Sequence, residues 1–167
     1  MVKVMISNVT VHNNPAKFLS NYTFEIKFEC LEQLTQGLII LFLFLFEKNS
    51  FVELEFKLVY VGDAKEDKQD QVLDVVVIDA VAPGTYKFVF EAPPPDPKKL
   101  PNDSDVDVSV ILLLALYRNQ EFARVGYYVF TEYDDPELRE NPPVKVDFEK
   151  VRLRGEVSLE KINMSSV

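Results

Sequence analysis

The chain has 167 residues, 47% of them hydrophobic, which is enough for one domain with its own core, or one domain and a tail. Its formal net charge of −9 at pH 7 argues against direct nucleic-acid binding, because phosphates require a basic patch. Such acidity suits a basic protein partner. Acidity that serves only solubility is an equally good explanation.

The N-terminal residues predict neither export nor a membrane anchor. Residues 1–11 alternate like a strand and lack the charged region and cleavage site of a signal peptide. Cys30 is the single cysteine, which excludes an intrachain disulfide and fits a reducing compartment. The longest apolar run, residues 38–46, is far shorter than the ~20 residues of a membrane helix.

Short strands with a period of two dominate the pattern. They are predicted at residues 2–11, 22–30, 53–61, 72–78, 85–91, 106–117 and 121–130. Turn signals rich in proline, glycine and asparagine separate them. This succession predicts an all-β fold, an antiparallel β-sandwich.

One short helix is predicted at residues 134–140, in a loop. Asp134 or Asp135 can cap it, Pro136 suits its first turn, and the two prolines at 142–143 end it.

The predicted strand at residues 106–117 is apolar on both faces. A sandwich strand with solvent on one side alternates with polar residues, so this one is either wholly internal or presents a partner-binding patch. In the next strand Arg124 and Tyr128 are in phase, a pairing typical of interface anchors. A solvated arginine beside a tyrosine at the rim of the core is the alternative.

Catalytic and metal-binding patterns are weak. The one histidine, His12, lies in a turn-like context, and no nucleophile–base pair or glycine-rich phosphate loop accompanies it. Residues 63–74 are rich in carboxylates, but lysines stand where a calcium loop needs an oxygen ligand and a glycine. A solvated loop or a docking point for a basic partner remains. We therefore predict no enzyme activity, catalytic residue, metal or cofactor.

Several phrases in one order resemble a known family. They are NNP (13–15), FEIKFEC (24–30), LEFKLVYVGDA (54–64), DQVLD (70–74), FVF (88–90) and ELRENPP (137–143). They look like the anti-silencing-function histone chaperones, over about residues 1–34 and 53–150.

This resemblance implies an immunoglobulin-like sandwich with short helices in its loops, and a nuclear, non-enzymatic protein of nucleosome assembly and disassembly. It implies that the chain binds the histone three–four dimer, with no direct contact to nucleic acid or membrane. Matching positions give the histone-binding residues as Val61, Asp70, Val108, Val110, Leu112, Arg124, Val125 and Tyr128. In this assignment Val110 and Leu112 form an apolar centre for a histone helix. A generic immunoglobulin-like interaction scaffold without histone specificity is the alternative function.

The chain departs from the family pattern in three places. An apolar insertion at residues 35–52 interrupts a core of residues 1–150, and residues 151–167 form a divergent C-terminal tail. Gln36 and Gly37 stand where the family has an acidic pair. That pair serves a second groove for other assembly factors, which by position comprises Phe28, Glu53, Leu54, Val76 and Ile78.

Overall fold

The computed structural model describes residues 4–32, 34, 53–62, 70–79, 81–100 and 108–157. Within these ranges the strands are β1 (Val4–His12), β2 (Ala16–Lys17), β3 (Tyr22–Cys30), β4 (Glu53–Val61), β5 (Gln71–Asp79), β6 (Gly84–Ala92), β7 (Val108–Tyr117), β8 (Gln120–Tyr133) and β9 (Val151–Val157). A 3-10 turn at Pro97–Lys99 and helix α1 at Pro136–Glu140 lie in the connections. The insertion at residues 35–52 and most of the acidic loop, residues 63–69, lie outside the described residues.

Two antiparallel sheets build the sandwich. The smaller sheet has the order β1-β3-β6, and the larger has the order β2-β9-β8-β7-β4-β5. The predicted all-β sandwich is confirmed. β7 is internal to the larger sheet because it pairs with β4 on one side and β8 on the other.

The core is filled by the side chains that both sheets direct inward. Phe28 of the smaller sheet packs against Phe56 of the larger one with ring centroids 5.5 Å apart, and Phe24 packs on Tyr127 at the same distance. Each such burial stabilises the fold by about 1.5–3 kcal/mol. Cys30 is buried on the same side of β3 as Phe28, so it is an interior thiol.

A two-residue turn fixes the register of β7 against β8. Arg118 and Asn119 both have positive φ, 52° and 60°, which is the geometry of a type I′ hairpin turn. The turn follows directly on Tyr117, whose ring lies 5.4 Å from the Arg118 guanidinium carbon. Register matters here because a one-residue slip would turn every outward side chain inward.

Helix α1 begins with a side-chain cap. The carboxylate of Asp135 accepts a hydrogen bond of 2.9 Å from the backbone N–H of Glu137, and Pro136 occupies the first turn. Of the two predicted caps, the structure selects Asp135. The Arg139 guanidinium donates to the carbonyls of Tyr133 and Asp134, which ties the helix back to the end of β8.

The larger sheet extends into the segment that the sequence assigned to a divergent tail. Residues 151–157 form β9, which pairs with β8, and Val151 and Leu153 are buried between charged neighbours. On its other edge β9 meets the N-terminal part of the chain. The Asn14 side chain exchanges two hydrogen bonds with the backbone of Gly155, and the backbone N–H of Phe18 donates to the carbonyl of Val151.

Candidate protein-binding surface

The alternation of β7 separates a core side from a solvent side. Ser109, Ile111, Leu113, Ala115 and Tyr117 are buried, whereas the even-numbered residues between Val108 and Leu116 are accessible. Every one of those even-numbered residues is apolar. The strand therefore exposes an apolar side to solvent although it is paired on both edges, which is the arrangement that the second of the two alternatives requires.

We use the term outward face for the side of the larger sheet that points away from the core. At its centre Val110 lies in register between Val61 of β4 and Tyr128 of β8, and Leu112 lies between Val59 and Gly126. Tyr128 is 47% exposed, and Val108 at the end of β7 is 49% exposed. Five of the eight predicted site residues, Val61, Val108, Val110, Leu112 and Tyr128, are thereby gathered on one surface.

Arg124 supplies a fixed cation on the same face. It lies opposite Leu114, and its guanidinium donates two hydrogen bonds of 2.8 Å to the Glu121 carboxylate. These hydrogen bonds raise the pKa of Arg124 above its usual value. The side chain is therefore charged and oriented before any partner arrives.

Asp70 lies at the margin of the face, directly before β5. It is exposed. The next residue, Gln71, is buried and holds this end of the strand: its side chain accepts from the backbone N–H of Asp96 at 2.8 Å and donates to the Asp96 carbonyl at 3.2 Å. Because Gln71 pairs with Tyr60, the neighbour of Val61, Asp70 is placed beside the centre of the face.

Val125 does not belong to this surface. It pairs with Leu113 and packs against the core, so its side chain lies on the opposite side of the sheet from Val110. Adjacent strand residues point to opposite faces, and Arg124 takes the outward position. The structure thus corrects the prediction for Val125.

Three valines of β5 enlarge the face and were missed in the sequence. Val72, Val75 and Val77 are 59%, 37% and 46% exposed, and they lie opposite Val59, Lys57 and Glu55. A register shift between Leu58 and Val59 breaks the alternation of the pair. The run VLDVVV therefore has no regular period of two, so the sequence pattern did not identify these valines as outward-facing.

The smaller sheet has the opposite character on its own outer side. Glu25, Lys27 and Glu29 of β3 project there, and Lys87 of β6 forms an ion pair of 3.3 Å with Glu25. Val89 is an isolated apolar side chain among them, 57% exposed. This side has the ordinary polar surface of a solvated sheet, so the apolar outward face is specific to the larger sheet.

The residues of the second predicted groove are only partly accessible. Phe28 and Leu54 are buried in the core, whereas Val76 and Ile78 are half-buried and pack against it. Of Glu53, the structure describes the backbone, which pairs with Asp79 at the start of β4. Of the four members whose side chains the structure describes, Val76 and Ile78 are therefore the accessible ones.

The described residues offer little for catalysis or for metal binding. Across these ranges no three His, Cys, Asp or Glu side chains come together as a metal site, and no helix is long and apolar enough to span a bilayer. His12 is exposed at the end of β1. Burial raises the pKa of the Cys30 thiol, which disfavours the reactive thiolate.

Comparison with known proteins shows which family this sequence is similar to. A family model described as ASF1 like histone chaperone matches residues 1–162. The chain is 45% identical over 151 residues to "Histone chaperone asf1" of Drosophila melanogaster, covering 90% of this chain and 62% of that protein. It is 47% identical over 152 residues to "Histone chaperone ASF1" of Chaetomium globosum, covering 91% of this chain and 49% of that protein. For "Histone chaperone ASF1B" of Mus musculus the identity is 44% over 152 residues, with 91% and 67% covered.

Proposed function

This chain belongs to the ASF1-like histone chaperone family, and from that premise we propose that it binds the histone three–four dimer and hands it over during nucleosome assembly and disassembly. The chain spans about half to two thirds of the length of the relatives compared above. In this proposal it acts in the nucleus as a binding protein, without catalysis or a cofactor.

The observation that carries the proposal is the apolar outward face. Exposed valines and Tyr128 surround Val110 and Leu112 on a sheet side that ordinarily carries polar residues. A contiguous apolar patch of this kind marks an interaction site. In this proposal the outward face covers the surface by which histone three would otherwise pair with a second histone three. The bound dimer is thereby kept from self-association.

Charge supports a basic partner. The net charge is −9, and a chain of that sign attracts histones at long range. Asp70 at the margin can accept a charge-assisted hydrogen bond from a histone arginine or lysine. Arg124, oriented by Glu121, can bind a histone carboxylate on the far side of the apolar centre.

Other assembly factors are proposed partners at a second groove. Val76 and Ile78 of β5 are half-buried in the strand that ends the larger sheet within the described ranges, which supports a short apolar contact there. Val76→Asp tests this contact, because it puts a charge into the half-buried apolar position. Loss of factor binding with retention of histone binding would support a separate groove.

The decisive experiment compares Val110→Arg with Val89→Arg. Val110 lies at the centre of the outward face, whereas Val89 is an exposed valine on the smaller sheet. Size-exclusion chromatography with purified histone three–four dimer in moderate salt should show co-elution for the parent and for Val89→Arg, and none for Val110→Arg. Circular dichroism should show all three chains folded. Tight histone retention by a folded Val110→Arg chain would instead favour a scaffold without this binding face.

A further inference from the structure

The apolar ridge of β7 continues past Leu112. Leu114 and Leu116 point to the same side, and each is half-buried, as are Val110 and Leu112 at the centre of the face. The solvent side of an antiparallel sheet ordinarily carries polar residues, so two leucines there are unusual. These two are as available for contact as the residues that the family resemblance singled out.

Charged side chains flank the two leucines in register. Leu114 lies between Lys57 of β4 and Arg124 of β8. Leu116 lies between Glu55 and Glu121. A row with a cation on each side is thus followed by a row with an anion on each side.

The charged residues on the two sides of β7 differ in whether they are already paired within the chain. On β8, Glu121 and Arg124 satisfy each other through an ion pair of 2.8 Å. On β4, Glu55 and Lys57 are half-buried and form no ion pair within the part of the chain that the structure describes. A partly desolvated, unpaired charge gains most from an opposite charge brought by a ligand.

The space above the β7 ridge, between the flanking side chains of β4 and β8, has the dimensions of one α-helix. β4 and β8 are both neighbours of β7, so their side chains stand about 10 Å apart, close to the diameter of a helix with its side chains. From Val108 to Leu116 the ridge runs about 27 Å, the length of roughly 18 helical residues. β7 is hydrogen-bonded on both sides, so a partner cannot add to it as a strand.

We propose that Leu114, Leu116, Glu55 and Lys57 extend the docking surface, so that the histone helix assigned by family resemblance to Val110 and Leu112 also contacts these four residues along β7. The helix places a carboxylate at Lys57 and a cation at Glu55, and these two contacts set its direction and register. This assignment rests on the proposed histone binding, and it adds the residues that make the fit specific.

The first test removes the apolar contacts. Leu114→Thr/Leu116→Thr introduces β-branched residues that favour a strand, and both positions face away from the core. Titration calorimetry with histone three–four dimer should show affinity weakened by about tenfold or more, because two apolar anchors are lost. Thermal unfolding of the free variant establishes that it is folded.

The second test exchanges the charges of β4. Glu55→Lys/Lys57→Glu leaves the net charge unchanged and reverses only the order of the two charges. A matched exchange on the other sheet, Lys27→Glu/Glu29→Lys, uses the same spacing on the outer side of β3. The β4 exchange should weaken binding by about tenfold, and the β3 exchange should leave the affinity at the parental value.

The outcomes separate this inference from the proposed function. If Val110→Arg abolishes binding while either the leucine variant or the β4 exchange binds like the parent, the inference is overturned and histone binding by the face stands. If folded Val110→Arg still binds, the proposed function fails and the inference falls with it. Weakening by both variants, with the β3 exchange unaffected, supports the inference.

Discussion

Glu121 holds the guanidinium of Arg124 by two hydrogen bonds of 2.8 Å, one from Nε and one from Nη2. Their side chains are 34% and 37% exposed, so the pair contributes only about 0–1 kcal/mol to folding. Its value is orientation, since the two bonds fix the plane in which the remaining N–H groups can meet a partner.

Removing the Arg124 cation should weaken binding more than releasing Arg124 from its ion pair with Glu121. We expect Arg124→Met to weaken histone binding by about tenfold or more, and Glu121→Gln to weaken it less, because the charge remains while its orientation is loosened. Both free variants should unfold within about 1 kcal/mol of the parent. Calorimetric titration and thermal unfolding measure the two effects. Tighter binding by Glu121→Gln would mean that Glu121 competes with the partner for Arg124.

Gln71 should be important for stability although it is polar. Gln71→Ala leaves the backbone N–H of Asp96 without its acceptor, whereas the Asp96 carbonyl keeps its hydrogen bond from the backbone N–H of Lys99. An unsatisfied buried donor of this kind costs about 1–3 kcal/mol. Urea unfolding should therefore show a clear loss of stability. Val72→Ala, at the exposed neighbouring position, should change the free energy of unfolding much less. Equal losses of unfolding free energy for the two variants would show that the Gln71 side-chain hydrogen bonds do not stabilise the fold.

The cap of helix α1 offers a smaller, well-defined effect. Asp135→Ala removes the side-chain acceptor for the backbone N–H of Glu137, which should cost about 1 kcal/mol. Asp135→Asn retains an acceptor and should recover most of that loss. Denaturant unfolding of the parent and both variants tests this, and a loss as large for Asn as for Ala would point to charge rather than capping.

Alkaline pH should destabilise the fold through its buried tyrosines. Burial raises the pKa of Tyr127 from 10.0 to about 12. Since the unfolded phenol ionises first, the stabilisation is complete below pH 10 and is lost as the pH rises towards 12. Burial also raises the pKa of Tyr22 and of Tyr60, which act in the same direction. The free energy of unfolding should fall between pH 10 and about 12, and less steeply in Tyr127→Phe; an unchanged slope would exclude Tyr127 as a contributor.

The strands could be predicted because their side chains alternate. β3 and β4 coincide with the predicted ranges, and β5 differs by one residue at each end. β9 was missed because it is short and charge-rich, and among its residues with described side chains Val151 and Leu153 are the buried ones. Its place in the sheet depends on partners far away in the chain, which local periodicity does not report.

The binding surface was harder to predict than the fold. A family resemblance transfers positions but not directions, so it placed Val125 beside Arg124 although adjacent strand residues face opposite sides. It also passed over Val75 and Val77, and the sequence pattern did not identify them because the register shift in the neighbouring pair disturbs their phase. Registers across strands, which only the folded chain provides, distinguish Leu114 and Leu116 as outward residues.

The contact between Asn14 and Gly155 spans 141 positions of the chain. During synthesis β2 and the loop at Asn14 therefore have no strand to lie against until β9 has left the ribosome. Until then the outer edge of β8 and the side chain of Phe18 stay uncovered. Long-range pairings of this kind slow folding and prolong the exposure of apolar surface in the growing chain.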